Sequence, residues 1–444
     1  MIRITPFRGV FYNQKKFRDL SKVIAPPYDV ISKEEQEKLY KKSPHNFIRL
    51  DLSQEPDSYS AVAELLNEWL ATGIFERDAS PAIYFLSHRF KLKSGEQKIR
   101  QGFFALTELQ DLANGAIRPH EKTLDAPKED RLQLMLACHA QLSPIFTLYS
   151  QAKPTLNQLF ASEVEGVEPF IQIAQDNGDE CRLWRIASAE VIKRTQREMA
   201  DQQLLIADGH HRYEATLSYR DRMRRQRGQW SGRESFNYII TYFANINDDN
   251  VVILPTHRLV RGYAHKPFLD LEEQLQTYFY VEQHPKTPEG KTSFLKALKI
   301  AARKHHVLGA SFKRDPRYLI LRLKNKRIMQ RLAKDLSAPL RELDVSTLHL
   351  LILEHILGMT PEEQVREENI RYSQDEELVL QALEKEEYQA AFILNATQAE
   401  EIQTIVASGE KMPQKSTYFY PKLPSGIIVN KLDPDEEIQD VAIS

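Results

Sequence analysis

Leu204-Leu205-Ile206-Ala207-Asp208-Gly209-His210-His211-Arg212-Tyr213-Glu214-Ala215-Thr216-Leu217 is the stretch that decides how this chain is read. Its short apolar run, from Gln202 to Ala207, predicts a buried strand, and helical character resumes from Tyr213 to Arg225. Asp208 and Gly209 are turn residues between the two. A strand that hands over to a helix through such a loop points helix amides and the positive end of the helix dipole at the loop. That is an anion site, with phosphate as its natural guest. Gly209 permits a tight turn or a backbone approach that a Cβ would obstruct. Arg212 supplies a planar, permanently charged fork suited to phosphate oxygens. His210 and His211 can donate hydrogen bonds, bind metal or transfer protons, and Asp208 can hold Mg²⁺ or orient a histidine or hydroxyl. The plainer alternative makes Asp208 a cap, Gly209 a turn residue and the remaining side chains a solvated surface. Two adjacent histidines beside an arginine favour a functional loop.

Outward from this junction the chain reads as α+β. On the N-terminal side, Ser32 and Glu35 form a capping-box pattern that opens a helix to about Tyr40. Phe47 to Leu52 alternates as a half-buried strand does, and Asp57 to Leu70 has helical spacing that ends near Gly73. Ala82 to Lys93 and Lys98 to Leu109, joined by Ser94-Gly95-Glu96, predict a β-hairpin. Asn114 to Lys128 carries no periodic apolar face and reads as a loop, followed by a helix over 129–140 and a strand over 144–149. Beyond the junction, 236–246 and 251–260 are β-rich. A composition shift at Gly262 to Lys266 divides the chain into an α+β region, 1–262, and a helix-rich α/β region, 263–444, with a helix at 346–357 and a strand at 390–395.

Bulk composition narrows the classes. The 444 residues are 42% apolar and 27% charged, an ordinary globular balance with room for more than one core. The first residues lack a signal-peptide layout and no apolar run approaches a membrane span, so the expected location is the cytoplasm. Cys138 and Cys181 lack the spacing of a zinc or redox motif and are expected as small buried residues. A net charge of −2 gives no global pull toward nucleic acid, so phosphate binding must come from local clusters. The dense cluster Arg220, Arg222, Arg224, Arg225 and Arg227 is interrupted by Asp221 and reads as a solvated helix end rather than a nucleic-acid surface.

Further pieces carry potential chemistry. His120-Glu121-Lys122-Thr123 and Lys128-Glu129-Asp130-Arg131 bring acids, bases and cations into one segment, the inventory that phosphoryl transfer needs. Pro26 and Pro27 would present Tyr28 and Asp29 in a fixed direction. Gly409 to Ser416 has the length of a Walker A loop, but Gln414 replaces its second glycine and Pro413 removes an amide donor, which excludes a true P-loop. Lys415 and Ser416 remain available to bind an anion.

Several of these pieces carry a family resemblance. Ile206 to Tyr213 resembles the Asp-Gly-His-x-Arg loop of the ParB/sulfiredoxin-like superfamily, which includes free-serine kinases. Pro6-Phe7-Arg8-Gly9, Ala25-Pro26-Pro27-Tyr28-Asp29-Val30-Ile31, Leu254-Pro255-Thr256-His257-Arg258-Leu259 and Met412 to Lys422, with three further motifs between them, resemble the domain-of-unknown-function 1015 family along essentially the whole chain. The first likeness implies a ParB/sulfiredoxin-like mixed-sheet core. The sulfiredoxin loop carries its nucleophilic cysteine where His210 stands here, so sulfinic-acid repair is excluded. Between Tyr213 and Val260 there is no helix-turn-helix of the ParB type.

The resulting expectation is a nucleotide-dependent phosphotransferase acting on a small hydroxylated metabolite, serine or a relative. Its expected cofactors are Mg²⁺ and a nucleoside di- or triphosphate. Asp208, His210 and Glu121 would be catalytic, with Asp208 also holding metal and Glu121 serving as base. Gly209, His211, Arg212, Lys122, Lys128, Arg131, Lys415 and Ser416 would bind phosphate. The alternatives are a nucleotide- or metabolite-binding regulator without turnover and a metal-dependent hydrolase. No nucleic-acid or membrane partner is expected.

Overall fold

The predicted hairpin forms where aromatic and branched residues alternate across a turn that needs glycine. In the computed structural model, which describes residues 1–113, 115–121, 123, 125–263, 268–364, 366, 368–385, 387–433 and 435–438 (side chains of 268 and 269 apart), Gly95 sits at the turn with φ +89°. Numbering the strands of this sheet in chain order, β1 is Ile4–Thr5, β2 Ile83–Lys91, β3 Gln97–Glu108, β4 Ile117–Pro119 and β5 Ile145–Tyr149. β6 is Ile171–Ala174, β7 Glu180–Ile186, β8 Leu204–Asp208 and β9 Tyr238–Asn245. The strand order is β4-β8-β5-β9-β3-β2-β7-β6, with β1 added to β3. β8 runs parallel to β4 and antiparallel to β5, and β9 is parallel to β5, so the sheet is mixed. All eight residues of β9 are buried, as a central strand covered on both faces requires.

Helices follow from local signals. Ser32 caps Lys33–Lys42 by accepting from the Glu35 amide at 3.2 Å. Ser188 caps α2, Ala189–Ala200, whose buried Val191, Ile192, Thr195 and Met199 recur at helical spacing. α1 spans Asp125–Cys138 and packs against α3, His210–Arg227. α3 is strongly polar yet buries Tyr213, Tyr219 and Arg220, with the Tyr213 hydroxyl donating to the Gln110 carbonyl at 2.7 Å. Its basic end serves the chain itself: Arg220 pairs with Asp111 at 2.8 Å, and Arg224 lies 3.8 Å from the Trp230 ring centre. Both cysteines are buried and unpaired.

Two local expectations are corrected. Phe47 to Leu52, expected as a strand, contains the short helix Ile48–Asp51. The segment expected as a loop to Lys128 includes β4 and the first turn of α1.

The chain forms two compact units. The first comprises Met1–Pro119, Thr123–Val252 and Pro421–Ser444; the second comprises His120–Lys122 and Ile253–Tyr420. The sequence reading set its boundary at Gly262 and kept the C-terminal stretch with the later region. The second unit holds a fully antiparallel sheet. Its strands are β10 His257–Val260, β11 Phe279–Pro285, β12 Val307–Phe312, β13 Arg317–Leu323, β14 Ile370–Ser373 and β15 Ala390–Ile393. They are ordered β11-β13-β12-β15-β10-β14. Phe294, Leu298, Val379 and Leu383 from two helices close a core over this sheet. The segment 346–357, expected as a helix, is largely a π-helix, Thr347–Ile356. Among the described residues no helix is long and apolar enough to cross a membrane.

Candidate functional site

The strand-to-helix handover lies within the first unit. The register between β8 and β5 shifts between Ile206 and Asp208, a bulge that re-aims the strand end. Gly209 then takes φ +92° and stands at the N-cap of α3, and its carbonyl accepts the first helical hydrogen bond, from the Tyr213 amide at 2.9 Å. A Cβ at this position would lie 3.0 Å from Ile145 Cγ2 and 3.1 Å from the Arg212 guanidinium carbon, so glycine answers both conformation and space.

Charges converge at this turn. Arg212 Nη2 donates to Asp208 Oδ2 at 2.6 Å, one helical turn away, and its Nη1 donates to the Pro144 carbonyl. Lys422 donates to the other oxygen, Asp208 Oδ1. Burial alone would raise the Asp208 pKa, but Lys422 and Arg212, with a smaller contribution from His210, hold it far below the usual carboxylate range. Arg212 Nε is buried and has no hydrogen-bond partner.

Beside this pair lie two small hollows. One, about 10 Å³, is lined by Tyr28, Asp208, Arg212, Lys422 and Ser425; the other, about 40 Å³, by Tyr28, Asp51, Arg131, Gln141 and Arg212. Each admits only a water or a few. Arg131 stacks on the Tyr28 ring at 4.2 Å, pairs with Asp130 at 2.6 Å and lies 3.9 Å from Asp51. Burial pushes the Tyr28 hydroxyl up to about 12, so it remains a donor at neutral pH. Burial also raises the Asp51 carboxyl, against the pull of Arg131 and a Ser425 hydrogen bond, and its Oδ2 has no hydrogen-bond partner within reach.

The residues read from the sequence thus fall into two groups. Asp208, Gly209, His210, His211 and Arg212 share the handover; Arg131 lines the hollow beside it, and Lys128 pairs with Asp125 at 2.8 Å on α1. Glu121, Lys415 and Ser416 belong to the second unit. There Glu121 bridges to Met412, Lys415 takes φ +55°, and the buried Ser416 hydroxyl donates to the Pro413 carbonyl at 2.5 Å. Lys122 lies outside the described residues. Lys422 and Asp51 were given no role in advance. Lys422 closes the C-terminal family motif, which was the available signal; Asp51 sat inside an alternation read only as a strand.

Mg²⁺ at Asp208 does not fit this arrangement, because both carboxylate oxygens are taken by cations. Among the described residues no group of three or more His, Cys, Asp or Glu side chains is placed to hold a metal ion.

Fold and site define a two-unit, mixed α+β protein with a partly buried, cation-rich turn at a helix N-terminus. Residues 4–346 match the family described as protein of unknown function (DUF1015), and the chain belongs to that family. No curated protein matches it. Among solved structures, a conserved hypothetical protein from Pyrococcus furiosus is 14% identical and aligns over 74% of this chain and 97% of its own, at a TM-score of 0.35. A mutant free serine kinase in complex with ADP is 13% identical over 71% of this chain and 87% of its own, at 0.36. C-terminally truncated SbnI from Staphylococcus aureus is 11% identical over 75% and 91%, at 0.35. Scores this low transfer no site and no activity.

Proposed function

We propose that this protein is a nucleotide-dependent phosphotransferase acting on a small hydroxylated metabolite, serine or a relative, with phosphate recognised at the Asp208-to-Arg212 turn of a ParB/sulfiredoxin-like core. One observation carries the reading: Arg212 and Lys422 converge on a single, largely enclosed acid at the N-terminus of an 18-residue helix. An incoming phosphate can take over the cations that Asp208 now holds, and the helix dipole adds to its binding. His210 and His211 occupy the first turn, where a phosphate oxygen would lie. Tyr28, protonated at neutral pH, is a further donor. Within the first unit, Asp51 has the character of a base for the acceptor hydroxyl, since its pKa is raised and one oxygen is unpartnered. Mg²⁺ would arrive with the nucleotide as its counter-ion, and no step here is assigned to it.

The small hollows and the saturated Asp208 carboxylate favour a second reading, a metabolite-binding regulator that performs no turnover. Phosphorus NMR of the protein with ATP, Mg²⁺ and serine separates the two. Transfer predicts a new phosphomonoester signal that falls about ten-fold or more in Lys422→Ala. Nucleotide binding without product favours the regulator, and neither binding nor product removes both.

A further inference from the structure

The second unit contains a cavity of about 400 Å³, within the range of small-molecule sites and much larger than the hollows beside Arg212. Arg258, from β10, lines it and is 1% exposed. Its guanidinium donates to two carbonyls, those of Thr256 and Lys415, the latter at 2.9 Å, while Nε has no partner. Among the described residues no carboxylate pairs with it directly. Thr256, 3% exposed, also lines the cavity, and its hydroxyl likewise has no partner. The Tyr372 ring, 5.4 Å away, and the Glu121 charge offset only part of its burial, so a guanidinium with no carboxylate in contact is costly here.

The rest of the lining has the same bias. Lys304, Lys324 and Lys326 add positive charge, against Asp344 and Glu401. Asp344 lies 3.4 Å from His306 Nδ1 and accepts from Asn395 at 3.2 Å, and Glu401 accepts from the Gln398 amide at 2.7 Å; on the other side Lys326 pairs with Glu342 at 2.9 Å and Lys324 donates to the Gln276 carbonyl at 2.5 Å. Thr397 and Gln398 bring the N-terminus of the nine-residue helix Ala399–Ala407 to the wall. The cavity therefore combines unpartnered donor atoms on Arg258 and Thr256, lysines on its wall and a helix N-terminus.

We infer that this cavity is a second binding site, for a small phosphorylated metabolite whose phosphate is held by Arg258, Thr256 and the helix N-terminus, with Lys304 and Lys326 at the rim. It goes beyond the proposed phosphotransfer, which concerns the first unit alone.

The test titrates pyrophosphate, with neutral adenosine as control, into the full-length protein. It follows the His306 imidazole by NMR, the signal being assigned by its loss in His306→Gln. Pyrophosphate is expected to move the His306 signal saturably, and adenosine is not. Lys304→Ala with Lys326→Ala, both exposed and outside the core, is expected to weaken binding about ten-fold or more. Arg258→Met is expected to abolish it; if that variant fails to fold, the lysine pair still decides. Arg212→Ala is expected to leave the His306 response unchanged, which separates this site from the first. An unmoved His306 signal, an equal response to adenosine, wild-type affinity in the lysine variant, or loss of the response in Arg212→Ala would each overturn the inference.

Discussion

Two arginines, one partly and one fully buried, illustrate opposite ways of keeping a guanidinium inside a fold. Arg212 is ion-paired to Asp208 at 2.6 Å, beside hollows of about 40 and 10 Å³. Both leave Nε without a partner, but Arg258 makes do with backbone carbonyls and borders about 400 Å³ of open space. The first site has supplied its own counter-ion, so a ligand there must exchange with Asp208. The second has been left incomplete, so a ligand there only has to arrive. A cluster of charge can therefore mark either a self-satisfied network or a prepared receptor, and a carboxylate in direct contact with the guanidinium tells them apart.

The largest expected effect follows from removing the internal counter-ion. Asp208→Ala leaves Arg212 and Lys422 buried without their shared acid, and should cost about 3–5 kcal/mol in urea unfolding. Their side chains are only 15% and 13% exposed, so solvent screens little of this. A loss below about 1 kcal/mol would break the contrast, because the first site would then not depend on its own pairing. Gly209→Ala should come next, at about 1–2 kcal/mol, since alanine is strained at φ +92° and its Cβ meets Ile145 and Arg212. It should also weaken anion binding at the turn by displacing Arg212.

Arg258→Met should change stability by no more than about 1 kcal/mol, because relief of a buried charge that Glu121 and Tyr372 only partly offset compensates for two lost hydrogen bonds to carbonyls. Calorimetric melting of the variant checks this. A loss as large as that of Asp208→Ala would show that Arg258 is structural cement and would narrow the contrast between the sites.

Legibility from the sequence divides along the same physical line. The handover was readable because its parts are local: four apolar residues, a turn glycine, and Asp208 and Arg212 spaced one helical turn apart. Lys422 was not, since it meets Asp208 from 214 positions away and no periodicity encodes that encounter. Phe47 to Leu52 misled because a six-residue alternation also suits one helical turn. Asn46 decides for the helix, accepting from the Ile48 amide at 3.1 Å while donating to the Lys22 and Ile24 carbonyls. The stretch to Lys128 lacks a periodic apolar face, yet α1 begins at Asp125, and Pro127 is tolerated in its first turn. The cavity of the second unit drew on Thr256, Arg258, Lys304 and Thr397, which are scattered over some 140 positions and become one wall only when β10 joins its sheet.

The smallest expected effect separates the two sites by pH. Asp208 has its folded pKa depressed, so its contribution is complete above the ordinary carboxylate value of about 4 and is lost as pH falls toward the depressed value. His306 behaves in the opposite sense. Its hydrogen bond to Asp344, opposed by burial, raises its pKa above the ordinary value of about 6.5. The stability it supplies is therefore complete below that value and is lost as pH rises through the raised one. Its side chain is 30% exposed, so the contribution should stay under about 1 kcal/mol. Urea midpoints measured from neutral pH upward should fall slightly in the wild type and flatten in His306→Gln, with the acid arm unchanged. Saturating pyrophosphate should move the alkaline loss to higher pH, because an anion in the cavity favours the imidazolium. An alkaline arm that ignores both the substitution and the anion would mean that His306 feels neither Asp344 nor the cavity, and the second unit would lose its claim to be the unfilled site.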